Sequence, residues 1–230
     1  MSNPILEIDD LSSGYKELVV IKGISFDISE GNAVCLTGRN GVGKTTLMKV
    51  ISGSLPIFSG QIKFNGDDIG QLPEYKRHAL GLSSAPQEKI VFDNLTVKEN
   101  LTLHYKDVDL DRYNVLFDKF PRISERLEQR AGTLSGGEKK LLSFVRVITE
   151  PTDLVLLDEP TEGVQAENID LMKGIICDEK AEGRGFLIVD QNLPFLEGIA
   201  DVTHLIDHGE QIYKIEGQQF RSEISKRMRI

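Results

Sequence analysis

Cysteine, histidine and tryptophan are scarce in this sequence of 230 residues, which holds two cysteines, four histidines and no tryptophan. Cys35 and Cys177 lie far apart in apolar stretches, so the sequence favours buried thiols over a disulfide or a metal site. These features are typical of a cytosolic, reducing environment. The histidines show no metal-ligand spacing, and we interpret them as structural or surface residues: His78, His104, His204 and His208.

Long apolar runs are also missing. No stretch approaches about 18 consecutive apolar residues, so we expect no membrane-spanning segment. The N-terminus, MSNPILEIDD, has no basic start or hydrophobic run, so no secretory signal is expected. Acidic residues number 36 against 27 basic ones, a formal charge of −9 that argues against a nucleic-acid-coating protein. We interpret the basic residues near the C-terminus as a solvated segment: Arg221, Lys226, Arg227 and Arg229.

The apolar pattern predicts one α/β domain with an inserted helical lobe. Hydrophobic residues make up 40% of the chain, enough for a sizeable core. The first thirty residues alternate apolar and polar positions, which predicts antiparallel β structure. The continuous apolar runs LVLL (154–157) and FLIV (186–189) indicate parallel strands covered on both faces. Helical spacing dominates 88–150, so we assign that segment to the lobe and residues 1–87 and 151–230 to the core.

The stretch GRNGVGKT, residues 38–45, fits the phosphate-loop pattern G-x-x-x-x-G-K-[ST]. An apolar strand pattern precedes it and a helix pattern follows, which distinguishes it from an ordinary glycine turn. Its glycines let backbone N–H groups approach phosphate oxygens, Lys44 brings positive charge to the β- and γ-phosphates, and the Thr45 hydroxyl ligates Mg²⁺. We therefore predict a nucleotide bound by Gly38, Arg39, Asn40, Gly41, Val42, Gly43, Lys44, Thr45 and Thr46.

The stretch LVLLDEP supplies the other half of a nucleotide site. Four apolar residues place Asp158 at the end of a predicted strand, where its carboxylate can hold Mg²⁺. Glu159 follows directly and is placed to orient or deprotonate a water that attacks the γ-phosphate. Without a phosphate loop in the same chain, both would be interpreted as ordinary polar residues at a strand exit.

A second glycine pair opens a helix in LSGGE, which comprises Leu134, Ser135, Gly136, Gly137 and Glu138. Ser135 and Glu138 fit a capping box, in which each side chain binds the other residue's backbone N–H. A capping box does not require two successive glycines, which cost helix stability. Two glycines and a hydroxyl at a helix N-terminus are instead typical of a phosphate receptor.

Taken together, GRNGVGKT, LSGGE and LVLLDEP resemble the ATP-binding-cassette (ABC) ATPases, of which LSGG[QE] is the signature. The resemblance covers essentially the whole chain. It implies the P-loop NTPase ABC-ATPase fold: a mixed, mainly parallel core sheet, an N-terminal antiparallel β subdomain and an inserted α-helical subdomain. It also implies that Tyr15 in SSGY stacks on adenine, and that Gln87 in SSAPQ contacts Mg²⁺ and the attacking water.

In this family two cassettes pair head to tail around two Mg-ATP, and each signature closes the site of its partner. The resemblance therefore implies a second ATPase subunit, identical or homologous. The chain departs from the family pattern at VDQN, where Gln191 occupies the place of a histidine that contacts the γ-phosphate. A glutamine amide can donate a hydrogen bond but cannot shuttle a proton. We therefore assign the base role to Glu159 and a positioning role to Gln191.

The elements VDQN, PTEG and VFDNLTVKEN resemble one subgroup, the ATPases of branched-chain amino-acid, urea and short-amide transporters. That likeness implies permease partners in the membrane, a solute-binding protein, no nucleic acid, and a place on the cytoplasmic face of the cell membrane. Two alternatives stay open: an ATPase of a lipid or lipopolysaccharide exporter, and a soluble cassette outside transport. A GTPase or nucleotide kinase is disfavoured, because LSGGE would then have no role and no N-K-x-D motif is present.

Overall fold

The computed structural model describes residues 4–88 and 90–216. The basic residues near the C-terminus discussed above lie outside these ranges. Within them, no helix combines the length and the apolar character that crossing a membrane requires. The strands and helices follow in chain order: β1 Leu6–Tyr15, β2 Leu18–Ile28, β3 Ala33–Thr37, α1 Lys44–Ser52, β4 Ile57–Phe64, β5 Asp67–Asp68, α2 Glu74–Ala79, β6 Leu82–Ala85, α3 Val97–Thr102, α4 Asn114–Lys119, α5 Pro121–Ser124, α6 Gly136–Thr149, β7 Leu154–Asp158, α7 Ala166–Ala181, β8 Gly185–Val189, α8 Leu193–Ile199, β9 Val202–Asp207 and β10 Glu210–Glu216.

The strands form two sheets. The first is antiparallel, in the order β2-β1-β4-β5, and matches the antiparallel structure expected near the N-terminus. The second has the order β10-β9-β3-β8-β7-β6, with parallel pairing throughout except for the antiparallel edge pair β10–β9. Both apolar runs predicted to be parallel strands, in β7 and β8, lie in its interior and are fully buried.

Two apolar cores lie on opposite faces of the six-stranded sheet. In β8, Phe186 and Ile188 point into one core, whereas Leu187 and Val189 point into the other. The same alternation holds for β3 and β7. Because side chains alternate along a strand, a sheet covered on both faces requires apolar residues at every position. This explains why these strands are continuous apolar runs.

The described part of 88–150 contains helices and no strand, apart from one isolated bridge between Thr96 and Arg130. The side chains of this segment pack around α6. The Phe120 ring meets the Phe144 ring edge-on at a centroid distance of 6.4 Å, and the buried Tyr113 hydroxyl donates to the Leu101 carbonyl at 2.6 Å. The aromatic residues of the predicted helical pattern therefore form the interior of this segment.

The expectation of two buried thiols is correct for Cys35 and wrong for Cys177. Cys35 is buried in β3, and burial raises the pKa of its thiol far above the ordinary value. Cys177 lies on α7 and is exposed, whereas its neighbours Ile175 and Ile176 face the core. Successive residues of an α-helix are rotated by about 100° about its axis. An apolar stretch in a helix therefore does not bury every one of its residues.

A buried arginine closes the end of the helix that follows the phosphate loop. The Arg77 guanidinium donates to the carbonyls of Val50 and Ile51, in the last turn of α1, at 2.8 Å each. It also donates to the carbonyls of Leu72 and Gly70, at 2.8 and 3.1 Å. Carbonyls at a helix C-terminus have no partner within the helix. Arg77 therefore supplies hydrogen bonds that α1 cannot make itself.

We expect Arg77→Met to lower the free energy of unfolding by about 3 kcal/mol, because it keeps the volume but leaves several buried carbonyls without donors. Urea unfolding followed by circular dichroism measures this change. The free energy of unfolding of Arg77→Lys should lie between that of the parent protein and that of Arg77→Met, since an ammonium lacks the planar fork of donors. Arg122→Met, at an exposed position in α5, is the matched control. An equal, small effect of both methionine variants would contradict this role of Arg77.

Candidate functional site

The candidate site lies at the carboxyl ends of four adjacent parallel strands. In sheet order these are β3, β8, β7 and β6. The phosphate loop follows β3, Gln191 follows β8, Asp158 and Glu159 stand at the end of β7, and Gln87 follows β6. Ligand sites in open α/β sheets form at this edge. The strand order thus brings together four segments that are well separated in sequence.

The phosphate loop has the backbone that its glycines allow. Gly38 has φ 148°, and a Cβ there would lie 2.2 Å from the Ile206 carbonyl oxygen, so only glycine fits. Lys44 begins α1, and its Nζ donates to the carbonyls of Gly38 and Arg39 at 2.8 Å each. Burial lowers the pKa of Lys44, while the charges of Glu159 and Asp158 act in the opposite direction. Two hydrogen bonds to backbone carbonyls therefore hold the ammonium within the loop, and other acceptors can replace these carbonyls.

The three residues predicted to hold a metal converge. The Thr45 hydroxyl lies 3.2 Å from Gln87 Oε1 and 3.4 Å from Asp158 Oδ1. A hydroxyl, an amide oxygen and a carboxylate form an all-oxygen donor set, which suits Mg²⁺ with its remaining positions taken by water and phosphate. The residues present therefore fit the expected ion.

Asp158 is buried, and desolvation raises its pKa to about 6, with the Thr45 hydrogen bond and nearby lysines acting against the shift. The Glu159 charge adds to the increase. Ionising a buried carboxylate costs free energy. A nearby cation or hydrogen-bond donor stabilises the ionised form and so lowers that cost. The electrostatics of the site therefore favour binding of a positive ion next to Asp158.

Two glutamines hold the Glu159 carboxylate from opposite sides. Gln87 Nε2 donates to Glu159 Oε2 at 2.7 Å, and Gln191 Nε2 donates to Oε1 at 3.0 Å. Gln191 also donates to Asn40 of the phosphate loop at 2.7 Å. Glu159 has φ 50°, a left-handed backbone that a side-chain-bearing residue rarely adopts, and such strain is concentrated at functional sites. The arrangement fixes the direction in which this carboxylate can accept a proton.

The LSGGE segment forms the predicted capping box at the start of α6. Glu138 N donates to the Ser135 hydroxyl at 3.3 Å, and Ser135 N donates to Glu138 Oε2 at 2.9 Å. The hydrogen bond from the Ser135 backbone lowers the pKa of Glu138. Leu134 is buried just before the helix.

The two signature glycines differ in their surroundings. A Cβ on Gly137 would lie 2.1 Å from the Gly163 carbonyl oxygen of the PTEG loop, so the chain's own packing requires glycine there. A Cβ on Gly136 would meet nothing within 4 Å. The packing of the chain therefore gives a reason for glycine at position 137 and none for glycine at position 136, and the interpretation of both as a phosphate receptor stays a prediction.

The phosphate loop and the signature do not share a cavity. A cleft of about 300 Å³ lies over the phosphate loop, and no LSGGE residue is among those lining it: Val20, Asn40, Gly41, Gly43, Lys44, Thr45, Thr46, Gln87, Glu159, Glu162 and Gln191. A separate cavity of about 370 Å³ is bordered by Ser135, Gly137 and Glu138. Tyr15 is exposed at the end of β1 and does not line the first cleft. The phosphate loop and the LSGGE segment thus border two different cavities of the described chain.

Lys140 is a site residue that the sequence analysis missed. Its buried Nζ donates to the carbonyls of Gln87 at 3.1 Å and of Asp158 at 3.5 Å, and lies 3.8 Å from Glu162. Burial lowers the pKa of Lys140, against the pull of these acidic neighbours. Its spacing from Phe144 and Val147 puts Lys140 on the apolar stripe of α6. A lysine on such a stripe is a signal that could have been used.

Asp190 is a second missed residue. Its carboxylate accepts from the Thr161 backbone N–H at 3.1 Å, from the Thr161 hydroxyl at 2.9 Å, and from Asn192 N–H at 2.8 Å. Asp190 precedes Gln191, and Thr161 lies two residues after Glu159. The buried carboxylate thereby ties the backbone before Gln191 to the loop after Glu159.

Comparisons with known proteins agree with the geometry. The family profile described as "ABC transporter" matches residues 21–162. The high-affinity branched-chain amino acid transport ATP-binding protein BraG of Pseudomonas aeruginosa is 35% identical over 209 residues, covering 89% of this chain and 90% of that protein. The lipopolysaccharide export system ATP-binding protein LptB of Escherichia coli K12 is 32% identical, covering 90% and 88%.

Solved structures agree as well. The structure described as "Structure of ATP binding subunit of ABC transporter" superimposes with a TM-score of 0.83 at 27% identity, covering 98% of this chain and 95% of that one. A nucleotide-free ATP-binding cassette from an ABC transporter also gives 0.83, at 22% identity, covering 97% and 96%. The expected fold class is thereby confirmed.

The contrast between the two glycines can be measured. We expect Gly137→Ala to lower the melting temperature, because its methyl group collides with a backbone oxygen. Gly136→Ala should leave the melting temperature unchanged or raise it slightly, since alanine favours a helix by about 1 kcal/mol. Differential scanning calorimetry of both variants compares them directly. Equal destabilisation would show that the Gly163 contact is not what requires glycine at position 137.

We expect Asp158→Asn to raise the free energy of unfolding of the nucleotide-free protein at pH 7.5 by about 1–3 kcal/mol. The folded carboxyl holds its proton more tightly than the unfolded one, so ionisation at pH 7.5 costs stability. This cost disappears as the pH falls through about 6 towards the unfolded pKa, so the gain should shrink at pH 4.5. Urea unfolding at both pH values tests this, with exposed Asp178→Asn as the control. A gain that does not depend on pH would contradict the mechanism.

Proposed function

The chain belongs to the ABC transporter family, and on that premise we propose that it is the ATP-binding and ATP-hydrolysing subunit of a transporter and acts in a head-to-tail pair. The observation that carries this proposal is that the phosphate loop and the LSGGE segment border two different cavities. Ser135 and Gly136 are exposed at a helix N-terminus, outside the cleft over the phosphate loop. A second cassette supplies what each cleft lacks, with its signature loop set against the γ-phosphate.

We propose the following roles around the phosphates. Lys44 exchanges its two carbonyl partners for the β- and γ-phosphate oxygens, and the backbone N–H groups of the phosphate loop hold the remaining charge. Mg²⁺, held by Thr45, Gln87 and Asp158, would neutralise charge on the phosphates. The aromatic ring of Tyr15, exposed at the end of β1, stacks on adenine.

Glu159 acts on the attacking water. Its carboxylate is oriented by the two glutamine amides, so it can accept the water's proton in a fixed direction. Gln191 can donate a hydrogen bond but cannot take up a proton, so its role is to position Glu159 and the γ-phosphate. The polar link from Gln191 to Asn40 couples this position to the phosphate loop.

The proposed cargo is a branched-chain amino acid, urea or a short amide. Support comes from BraG and from the probable branched-chain amino acid transport ATP-binding protein LivF of Archaeoglobus fulgidus, 34% identical over 204 residues, together with the VDQN and PTEG elements. The subunit would lie on the cytoplasmic face of the membrane with permease subunits and a solute-binding protein. Lipopolysaccharide or lipid export is the second candidate, favoured by the likeness to LptB. A soluble cassette has no specific support.

Replacing the proposed base tests the division of roles. We expect Glu159→Gln to lower the ATP hydrolysis rate by about 10²–10⁴-fold, because the amide cannot accept a proton. Gln191→Ala should cost less, since it removes only a positioning contact. Phosphate release measured with the protein reconstituted with its partners compares them. If Glu159→Gln kept most of the activity while Gln191→Ala lost it, the assignment would be wrong.

Size-exclusion chromatography with light scattering tests the head-to-tail pair. We expect Glu159→Gln to form a dimer when ATP and Mg²⁺ are added, since hydrolysis no longer separates the subunits. Adding Ser135→Arg should abolish the dimer, because the side chain would occupy the place of the partner's phosphate. Thr96→Arg is the matched control, as Thr96 heads the same kind of capping box with Glu99 at the start of α3.

A Ser135→Arg protein that still dimerised as well as Thr96→Arg would contradict the proposed role of the signature loop. If ATP binds but no dimer forms even with Ser135 intact, self-pairing is wrong, and the partner would be a different ATPase. Purification of the tagged chain from native membranes would then identify that partner and the permease.

A further inference from the structure

Two histidines and a glutamate that are far apart in sequence converge on the side of the molecule where α6 ends. His78 lies in α2, His104 follows α3, and Glu150 is the residue directly after α6. His78 Nε2 lies 2.9 Å from Glu150 Oε2, and His104 Nε2 lies 3.7 Å from Glu150 Oε1. The two imidazole rings stack at a centroid distance of 5.2 Å. Both histidines are surface residues, as the sequence analysis expects, and they also share Glu150 as a neighbour.

The spacing suits a metal ion. One ligand atom from each of the three residues can be chosen so that all lie within 4.8 Å of one another. Ligands about 2.1 Å from a tetrahedral ion stand about 3.4 Å apart. The two nitrogen-to-oxygen distances, 2.9 and 3.7 Å, lie on either side of that value. The three ligand atoms are thus as close to one another as ligands of one ion would be.

The surroundings hold the carboxylate in place and leave the imidazoles accessible. The Glu150 side chain is only 5% exposed, whereas those of His78 and His104 are 38% and 44% exposed. Arg184 donates to the Glu150 backbone carbonyl at 2.7 Å, which anchors this ligand at the end of α6. Arg146 is the adverse charge nearby. The two imidazoles are therefore accessible from solvent, and the backbone of Glu150 is held in place beside them.

We propose that His78, His104 and Glu150 form a binding site for a divalent transition-metal ion of the zinc class, separate from the magnesium site. Two imidazoles and one carboxylate are a ligand set that zinc uses in proteins, with water in the fourth position. The nitrogen ligands disfavour Mg²⁺, which prefers oxygen.

The bound ion would join two parts of the chain. His78 belongs to the helix that precedes β6, whereas His104 and Glu150 lie within the helical segment 88–150, inserted between β6 and β7. A metal ligated from both sides adds its binding free energy to their association. We therefore expect binding to stabilise the folded chain without any nucleotide present.

The test uses full-length, chelator-treated protein with ZnCl₂ in isothermal titration calorimetry, in a Cys177→Ser background that removes the exposed thiol. We expect one Zn²⁺ per chain at this site, and a weakening of at least about tenfold in His78→Gln and in His104→Gln, since even loss of a supporting contact costs that much. The matched control is His208→Gln, which replaces an exposed histidine elsewhere. It should bind as the parent does.

A second measurement distinguishes a ligand role from a folding defect. Thermal unfolding should show that ZnCl₂ raises the melting temperature of the parent and of His208→Gln, but not that of His78→Gln or His104→Gln, while MgCl₂ at the same concentration has no such effect. Circular dichroism without metal should show that all variants are folded. Equal Zn²⁺ affinity in parent, His78→Gln and His104→Gln, or an equal rise in melting temperature, would overturn the proposal.

Discussion

The buried carboxylate of Asp158 is the constraint around which the rest of the site is arranged. A charge at the end of an apolar strand costs free energy, as its raised pKa reflects. The Thr45 hydroxyl and two buried lysines, Lys44 and Lys140, partly offset that cost. A cation bound beside it would offset the remainder. Stability and function are therefore opposed at this residue, and the stabilising polar contacts come from segments that must be in place before the site exists.

Polar contacts also connect Glu159 with the phosphate loop and with α6. Glu159 stands between Gln87 on one strand end and Gln191 on another, and Gln191 reaches the phosphate loop through Asn40. Lys140 extends these contacts into α6, the helix that the signature opens. Four hydrogen bonds thus link the phosphate loop to the signature helix, from Asn40 through Gln191, Glu159 and Gln87 to Lys140.

The LSGGE segment serves its own chain and, under the proposed function, a partner chain. Ser135 and Glu138 close the first turn of α6, and Gly137 lets the PTEG loop approach through Gly163. These contacts are internal and explain three of the residues without any ligand. Gly136 is exposed with open space around it, so it is the residue whose identity only an external group explains. The Ser135 hydroxyl accepts from the Glu138 N–H, one of the N–H groups that have no partner within the helix.

Local chemistry by itself determined the strands, the phosphate loop, the capping box and the identity of the site residues Lys44, Asp158 and Glu159, because each depends on neighbours within a few positions. Only the tertiary structure decided that Lys140 reaches the site and why Gly137 must be glycine. It alone also showed that Cys177 is exposed and that His78 and His104 meet at Glu150. Those facts depend on which strands are adjacent and how helices are rotated about their axes. Contacts between residues tens of positions apart leave no fixed spacing in the sequence.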